Sequence, residues 1–465
     1  MVVCESAGGV AMSKTLLIKN IRWLVTCNDT DDVLEQVSML VSDGVIVSVG
    51  KMENVQADET IDAAGMILYP GLINTHHHLY QTFSRNLPQV QRMELFPWLK
   101  TLYEIWKNLE DEYIYCSSMT GMGELLKTGC TTCLDHHYVF PQGKSERFLD
   151  VQFAVADELG VRFHATRGSM DLSVKDGGLP PDSVVQTVDK IMYDSEAAVK
   201  KFHDGSRYSM RQVALAPCSP FSVSEELLRQ TAIVARDLGV RMHTHLAETK
   251  DEEAYLLERL GMRPLEYMES LGWIGEDVWY AHGIHFTDDE LKRMAATKTG
   301  VAHCPVSNMK LSSGIAQIPR MLELGVPVGL AVDGSASNDG SNLLEELRVG
   351  YLLHRLNNSV TAPTGAELLK IATRGSASVL GRDDLGYIAP GMAADFFLID
   401  SNRLELVGTL QDVMAMPATV GFKGAVDYTV VNGKVVVKDG HLVNVDEGKL
   451  TERANRAVRE YLNKD

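Results

Sequence analysis

From Pro70 to Asn338 the chain alternates apolar, strand-like runs with longer helix-like stretches. This alternation confines it to an α/β fold with a parallel sheet covered by helices. The runs end near His78, His137, Gly168, Ser219, Glu248, His285, Asn308 and Asn338. The intervals of roughly 20 to 60 residues leave room for a helix each time. Eight is the number that closes a (β/α)8 barrel of the TIM type. A doubly wound sheet shares the same period, so it is the count that points to the barrel.

The flanks have a different texture. Thr15 to Thr26 and Val37 to Val49 read as strands rich in Val, Ile and Leu, joined through the polar turn Asn28-Asp29-Thr30-Asp31-Asp32. Strand-like runs return only at Ala394 to Asp400 and at Tyr428 to Lys438, where Asn432-Gly433 marks a hairpin. Matching segments at the two ends predict a small β-sandwich built from both of them. The expected organisation is residues 1–69 as the N-terminal part of the sandwich, 70–384 as the barrel, and 385–465 as the C-terminal part with a terminal helix. Residues 1–11 read as a disordered leader, because Met12-Ser13-Lys14 offers a second start.

A formal charge of −18, with no local run of Lys or Arg, argues against a nucleic-acid polymer as partner but leaves a small neutral molecule open. The N-terminus lacks the basic and apolar regions of a signal peptide, and no stretch reaches about 18 apolar residues, so a cytoplasmic location without a membrane is expected. Monomer and homo-oligomer both remain open. Seven cysteines spread thinly through a long chain suggest free thiols. Cys130 and Cys133 stand three apart in a β-branched run, which turns them to opposite faces of a strand and away from a shared ion.

A barrel strand exposes its reactive side chains where it ends, and His, Asp and Glu are dense at those endings. His76 and His78 stand two apart, hence on one face and within reach of one metal ion, while His77 faces the other way. The fifth run adds His245 and, three residues later, Glu248; the sixth ends in Tyr280-Ala281-His282-Gly283 and the eighth in Val332-Asp333-Gly334-Ser335. Taken singly, His282 reads as a satisfied core histidine and Asp333 as a helix cap. Their joint placement at the ends of runs one, five, six and eight is the stronger signal.

These residues, with His303-Cys304-Pro305 and Ser307-Asn308, resemble the amidohydrolase superfamily over Thr15 to Gly440, in particular its deaminase branch. The resemblance implies His76, His78, His245 and Asp333 as metal ligands, Glu248 as proton shuttle, and His282 as the group that positions the attacking water. Members that hold two metals usually bridge them through a carboxylated Lys or a Glu on the fourth strand, and Val213 to Pro220 contains neither. One divalent ion, zinc or iron, is therefore expected. Within the branch, His164 to Ser169, Glu94 to Lys100 and Ala216 to Pro220 are most similar to the 8-oxoguanine and isoxanthopterin deaminases.

The expected reaction is hydrolytic loss of an amino group from a purine-like heterocycle. Water attacks the amino-bearing carbon as Glu248 protonates the neighbouring ring nitrogen, and Glu248 or Asp333 protonates the leaving amine. Gln81 offers a donor and an acceptor for the ring's amide edge, or is a surface loop residue. Trp98 offers an apolar wall over the ring, or is a core residue of the helix after the first run. Cys218 stands where some guanine deaminases use a charged or polar residue, which favours 8-oxoguanine, giving urate and ammonia, over guanine. Removal of an alkylamino or chloro group from a triazine is the alternative activity. A metal-free binding scaffold is the alternative that is not an enzyme.

Overall fold

The structure, a computed structural model, describes residues 14–464. The expectation for residues 1–11 lies outside the described residues. The chain opens with β1 (Thr15–Val25), β2 (Val33–Ser42), β3 (Val45–Gly50), β4 (Glu59–Asp62) and β5 (Met66–Pro70). The single strand expected over Val37 to Val49 is two strands. Asp43 and Gly44, both at positive φ (49° and 80°), reverse the chain between β2 and β3.

Eight parallel strands follow: β6 (Leu72–Asn74), β7 (Cys130–Asp135), β8 (Arg162–Ser169), β9 (Arg211–Pro217), β10 (Met242–Leu246), β11 (Val278–His282), β12 (Gly300–His303) and β13 (Val328–Leu330). They pair in unbroken sequence order, β6 beside β7 and so on to β13. The seam between β6 and β13 is closed by the last residue of β6 and the one that follows it. Thr75 donates from its backbone N–H and its Oγ1 to the Leu330 carbonyl (3.2 and 3.0 Å), and Asn74 Oδ1 accepts from Val332 N–H (3.0 Å). The fold is thus the (β/α)8 barrel expected from the eight runs. Several runs stop sooner than expected, β6 at Asn74 among them; β12 ends at His303 and β13 at Leu330 because Pro305–Lys310 and Ser335–Asn338 are short helices, the first entered through Pro305. Every residue of β7, β8 and β10 to β13 is buried, so neither face of these strands is left to solvent.

The chain ends with β14 (Phe396–Asp400), β15 (Tyr428–Val431), β16 (Lys434–Lys438), β17 (His441–Leu442) and a terminal helix, Glu447–Leu462. β14 pairs antiparallel with β5, which joins both chain ends in one mixed, nine-stranded sheet separate from the barrel. Its hydrogen bonding is continuous, with β4 branching off β1. Ile18, Ile21, Met39, Ile46, Leu68, Phe396 and Leu398 form its own core. No described helix is long and apolar enough to cross a membrane.

A buried ion pair ties this sheet to the barrel. Arg162, at the start of β8, is fully buried and donates from Nε and Nη2 to the two oxygens of Asp395 (2.9 and 3.0 Å), just before β14. Asp395→Ala leaves the guanidinium buried without its counter-charge, a loss of about 3–5 kcal/mol. Denaturant unfolding of Asp395→Ala is expected to show it; a midpoint within error of the parent protein would mean that the pair holds nothing together.

Candidate metal centre and active site

His76 and His78 lie just beyond β6, not on it, since Asn74 and Thr75 turn away to close the seam. Their rings still face one centre. Nε2 of each is 3.3 Å from Asp333 Oδ1, and His78 Nε2 is 3.1 Å from His245 Nε2 at the end of β10. All four side chains are buried. His77 faces away, as expected, with its Nε2 against Ser341 Oγ (3.0 Å).

The other ring nitrogen of each histidine is committed elsewhere. His78 Nδ1 donates to the His136 carbonyl (2.7 Å) and His245 Nδ1 to the Cys218 carbonyl (2.6 Å). His76 Nδ1 meets His243 Nε2 (2.7 Å), and His243 Nδ1 in turn donates to the Trp279 carbonyl (2.9 Å). Each contact fixes the tautomer with its Nε2 lone pair toward the centre. Burial holds all three imidazoles neutral by pushing their pKa down. His76 Nε2 is buried without a hydrogen-bond partner. An orphaned lone pair among neutral imidazoles and a carboxylate is what a divalent ion of intermediate softness satisfies, so this donor set fits such a metal.

Asp333 is the charged member. Its carboxylate accepts from Ser307 Oγ (2.5 Å), Ser337 Oγ (3.1 Å) and the Gly334 N–H (2.6 Å). Burial opposes its charge, but its neighbours, His282 with its raised pKa among them, outweigh burial and hold it well below the usual carboxylate range. His282, the last residue of β11, has Nδ1 against Asn308 Oδ1 (2.9 Å) and Nε2 3.5 Å from Glu248 Oε2 and 4.0 Å from Asp333 Oδ2. Burial lowers its pKa, yet the charges of Glu248 and Asp333 leave it raised overall. Glu248 has its own pKa raised by burial, which keeps a proton on it further toward neutral pH. Ala247, His282 and Asp333 all have left-handed backbone (φ 53°, 72° and 62°), a strain of about 1–3 kcal/mol each, concentrated where the strands turn into the site.

A small recess opens over this centre, lined by His78, His245, Glu248, His282 and Asp333 on its floor and by Gln81, Trp98, Tyr138 and Cys218 around it. Gln81 is a buried residue of the helical turn Leu79–Ser84, which overturns the surface-loop reading. It lies so close to Gly334 that a Cβ there would stand 1.9 Å from Gln81 Oε1. Trp98 is at once a core residue of helix Leu95–Trp106 and part of the recess wall, and its Nε1 is a buried donor without a partner, as Gln81 Oε1 is a buried acceptor without one. Burial pushes the Cys218 thiol up to about 12, so it is neutral. Cys130 and Cys133 are buried free thiols.

The sequence reading missed His243, His136 and Tyr138. His243 had a signal, since His243 and His245 repeat the two-apart spacing of His76 and His78. His136 stacks on His245 with centroids 4.8 Å apart and belongs to the same cluster of nitrogens as His76, His78 and His245. It had a signal too, since it stands with His137 at the ending of the second run.

A closed barrel with a buried His and Asp cluster at the carboxyl ends of its strands defines a metal-dependent hydrolase. Residues 67–436 match the amidohydrolase family. The chain is 43% identical to an 8-oxoguanine deaminase of Pseudomonas aeruginosa, covering 96% of this chain and 99% of that one. It is 40% identical to hydroxydechloroatrazine ethylaminohydrolase of Pseudomonas sp. strain ADP, covering 96% of each. Its fold superposes on atrazine chlorohydrolase of Arthrobacter aurescens TC1 complexed with zinc, with a TM-score of 0.92 and 32% identity over 95% of this chain and 100% of that one. The chain belongs to the amidohydrolase family.

Proposed function

We propose that the protein is a zinc-dependent deaminase with one ion per site that converts 8-oxoguanine to urate and ammonia. His76, His78, His245 and Asp333 hold the ion in this reading. The supporting observation is similarity to the 8-oxoguanine deaminase along essentially the full length of both chains, together with a recess whose rim carries one unpartnered acceptor, Gln81 Oε1, and one unpartnered donor, Trp98 Nε1. Buried polar atoms without partners cost stability until a ligand satisfies them, and a flat heterocycle with an amide edge does so. Trp98 thus acts as a hydrogen-bond donor as well as a wall.

When bound, the ion supplies Lewis acidity that lets a water deprotonate near neutral pH. Water adds through oxygen to the amino-bearing ring carbon, and the carbon–nitrogen bond to the amino group then breaks. Glu248 gives its proton to the ring nitrogen beside that carbon, so the ring carries no unfavourable negative charge. His282, held by Asn308 and facing both Glu248 and Asp333, orients the attacking water and takes up positive charge as its proton moves. The hydroxyl proton of the adduct then passes to the amine through Glu248, by now deprotonated, or through Asp333, so the ring carbonyl forms as ammonia departs.

The small, neutral Cys218 thiol leaves the imidazole edge of a purine without a charged partner, which suits an 8-oxo edge better than the unmodified ring. Under matched conditions 8-oxoguanine is expected to show a higher kcat/KM for ammonia release than guanine or isoxanthopterin. A preference near ten-thousandfold indicates a dedicated hydrogen bond to the oxo edge, and one of ten- to two-hundredfold indicates shape alone. The strong similarity to the ethylaminohydrolase makes hydroxylated triazines the necessary fourth substrate, and a higher kcat/KM on any of the three competitors would reassign the substrate.

A further inference from the structure

The turn that carries Glu248 is held by a second carboxylate, which the reaction above does not use. Glu252 is fully buried in the first turn of helix Lys250–Leu260. Its Oε1 accepts from the Ala247 N–H (2.9 Å) and its Oε2 from the Glu248 N–H (3.0 Å). A Glu at this helix position ordinarily returns to the N–H of the capping residue, as Glu290 does to Thr287 and Glu367 to Thr364 in this chain. Glu252 bypasses its own cap, Thr249, and reaches the two amides before it.

Ala247 is the left-handed residue of this turn, and its carbonyl accepts from the N–H groups of Ile284 and His285 (2.8 and 2.9 Å), which follow His282. Its flanking peptides are therefore gripped from both sides: by Glu252 through the amides of Ala247 and Glu248, and by the loop after His282 through the Ala247 carbonyl. We propose that Glu252 is a positioning residue, whose two-point grip on this turn sets the approach of Glu248 to His282 at 3.5 Å. The inference rests on the reading of Glu248 as the proton carrier. A carboxylate buried without a cation is a costly device for capping a helix, and Thr249 Oγ1 already caps this one by accepting from Glu252 N–H (3.3 Å). A role in orientation accounts for the carboxylate.

The test compares Glu252→Gln with Thr249→Ala on zinc-loaded protein. The glutamine keeps the shape but can accept only one of the two amides with its single oxygen, and its NH2 group faces the other N–H. Glu252→Gln is expected to lose at least tenfold in kcat on 8-oxoguanine, with KM within threefold and zinc content unchanged. Thr249→Ala, which weakens the same helix end without touching either amide, is expected to lower Tm and leave kcat within threefold. Should Glu252→Gln fail to fold, Glu252→Asp, whose shorter chain reaches one amide only, is expected to give the same split between kcat and KM. Full kcat in the soluble Glu252 variant, or an equal loss in Thr249→Ala, overturns the inference. Glu248→Gln run in parallel separates the two readings: if it keeps turnover, the assignment of Glu248 itself fails, whereas an inactive Glu248→Gln beside a fully active Glu252 variant sinks only the positioning role.

Discussion

Glu248→Gln is expected to fold, to bind one equivalent of metal, and to lose between a hundredfold and ten-thousandfold in kcat, the range that general acid–base catalysis supplies. Glutamine is nearly isosteric and can still meet Ser313 Oγ, which lies 3.2 Å from Glu248 Oε1, so the recess should keep its shape. What is lost is an acidic proton. Glu248 is suited to carry one because burial raises its pKa while His282 stands 3.5 Å away to balance the charge left behind. An amide neither protonates the ring nitrogen nor receives a proton from water, so every later step slows. Steady-state kinetics with metal analysis on the same sample decide the matter, and more than about a tenth of the parent kcat would remove Glu248 from the chemistry.

His245→Ala should do its damage one step earlier, at the metal. Its Nε2 is 3.1 Å from that of His78, and its Nδ1 is locked to the Cys218 carbonyl, so the ring is held in place with its lone pair toward the centre. Changing a residue that merely orients a ligand typically costs about ten- to a hundredfold in metal affinity, and loss of a ligand exceeds that. Metal content after dialysis should fall well below one equivalent and activity with it. The barrel should stay folded by circular dichroism, because its core is apolar and formed by other residues. Full occupancy would shift the ligand role to His136, whose ring lies against His245 and whose Nδ1 has no partner.

The barrel and the principal reactive side chains were legible because both follow from one pattern: strand-like runs alternate with helix-like stretches, and reactive side chains gather where the runs end. His76, His78, His245, Glu248, His282 and Asp333 all stand at such endings. What escaped is carried by backbone and by pairing across strands. Cys218 was read for its thiol, whereas its carbonyl is what fixes the His245 tautomer. Asn74 and Thr75 carry no signal of their own in the sequence, yet they close the barrel. The turn at Asp43-Gly44 was hidden inside a run of Val and Ile that reads as one strand. Strand lengths near the seventh and eighth endings were overestimated because Pro305 and Ser335 begin helices so soon after the last paired residue.

The pairing of β5 with β14 also has a consequence for the order in which the molecule can be made. Met66–Pro70 leaves the ribosome hundreds of residues before Phe396–Asp400, its partner. At about 5–20 residues per second the gap lasts on the order of tens of seconds, during which β5 presents an unpaired, apolar edge. Arg162 waits through a shorter gap, 233 residues, for Asp395. The nascent chain is therefore most exposed to wrong pairing while its barrel is being synthesised, and the last strands close the vulnerable edge.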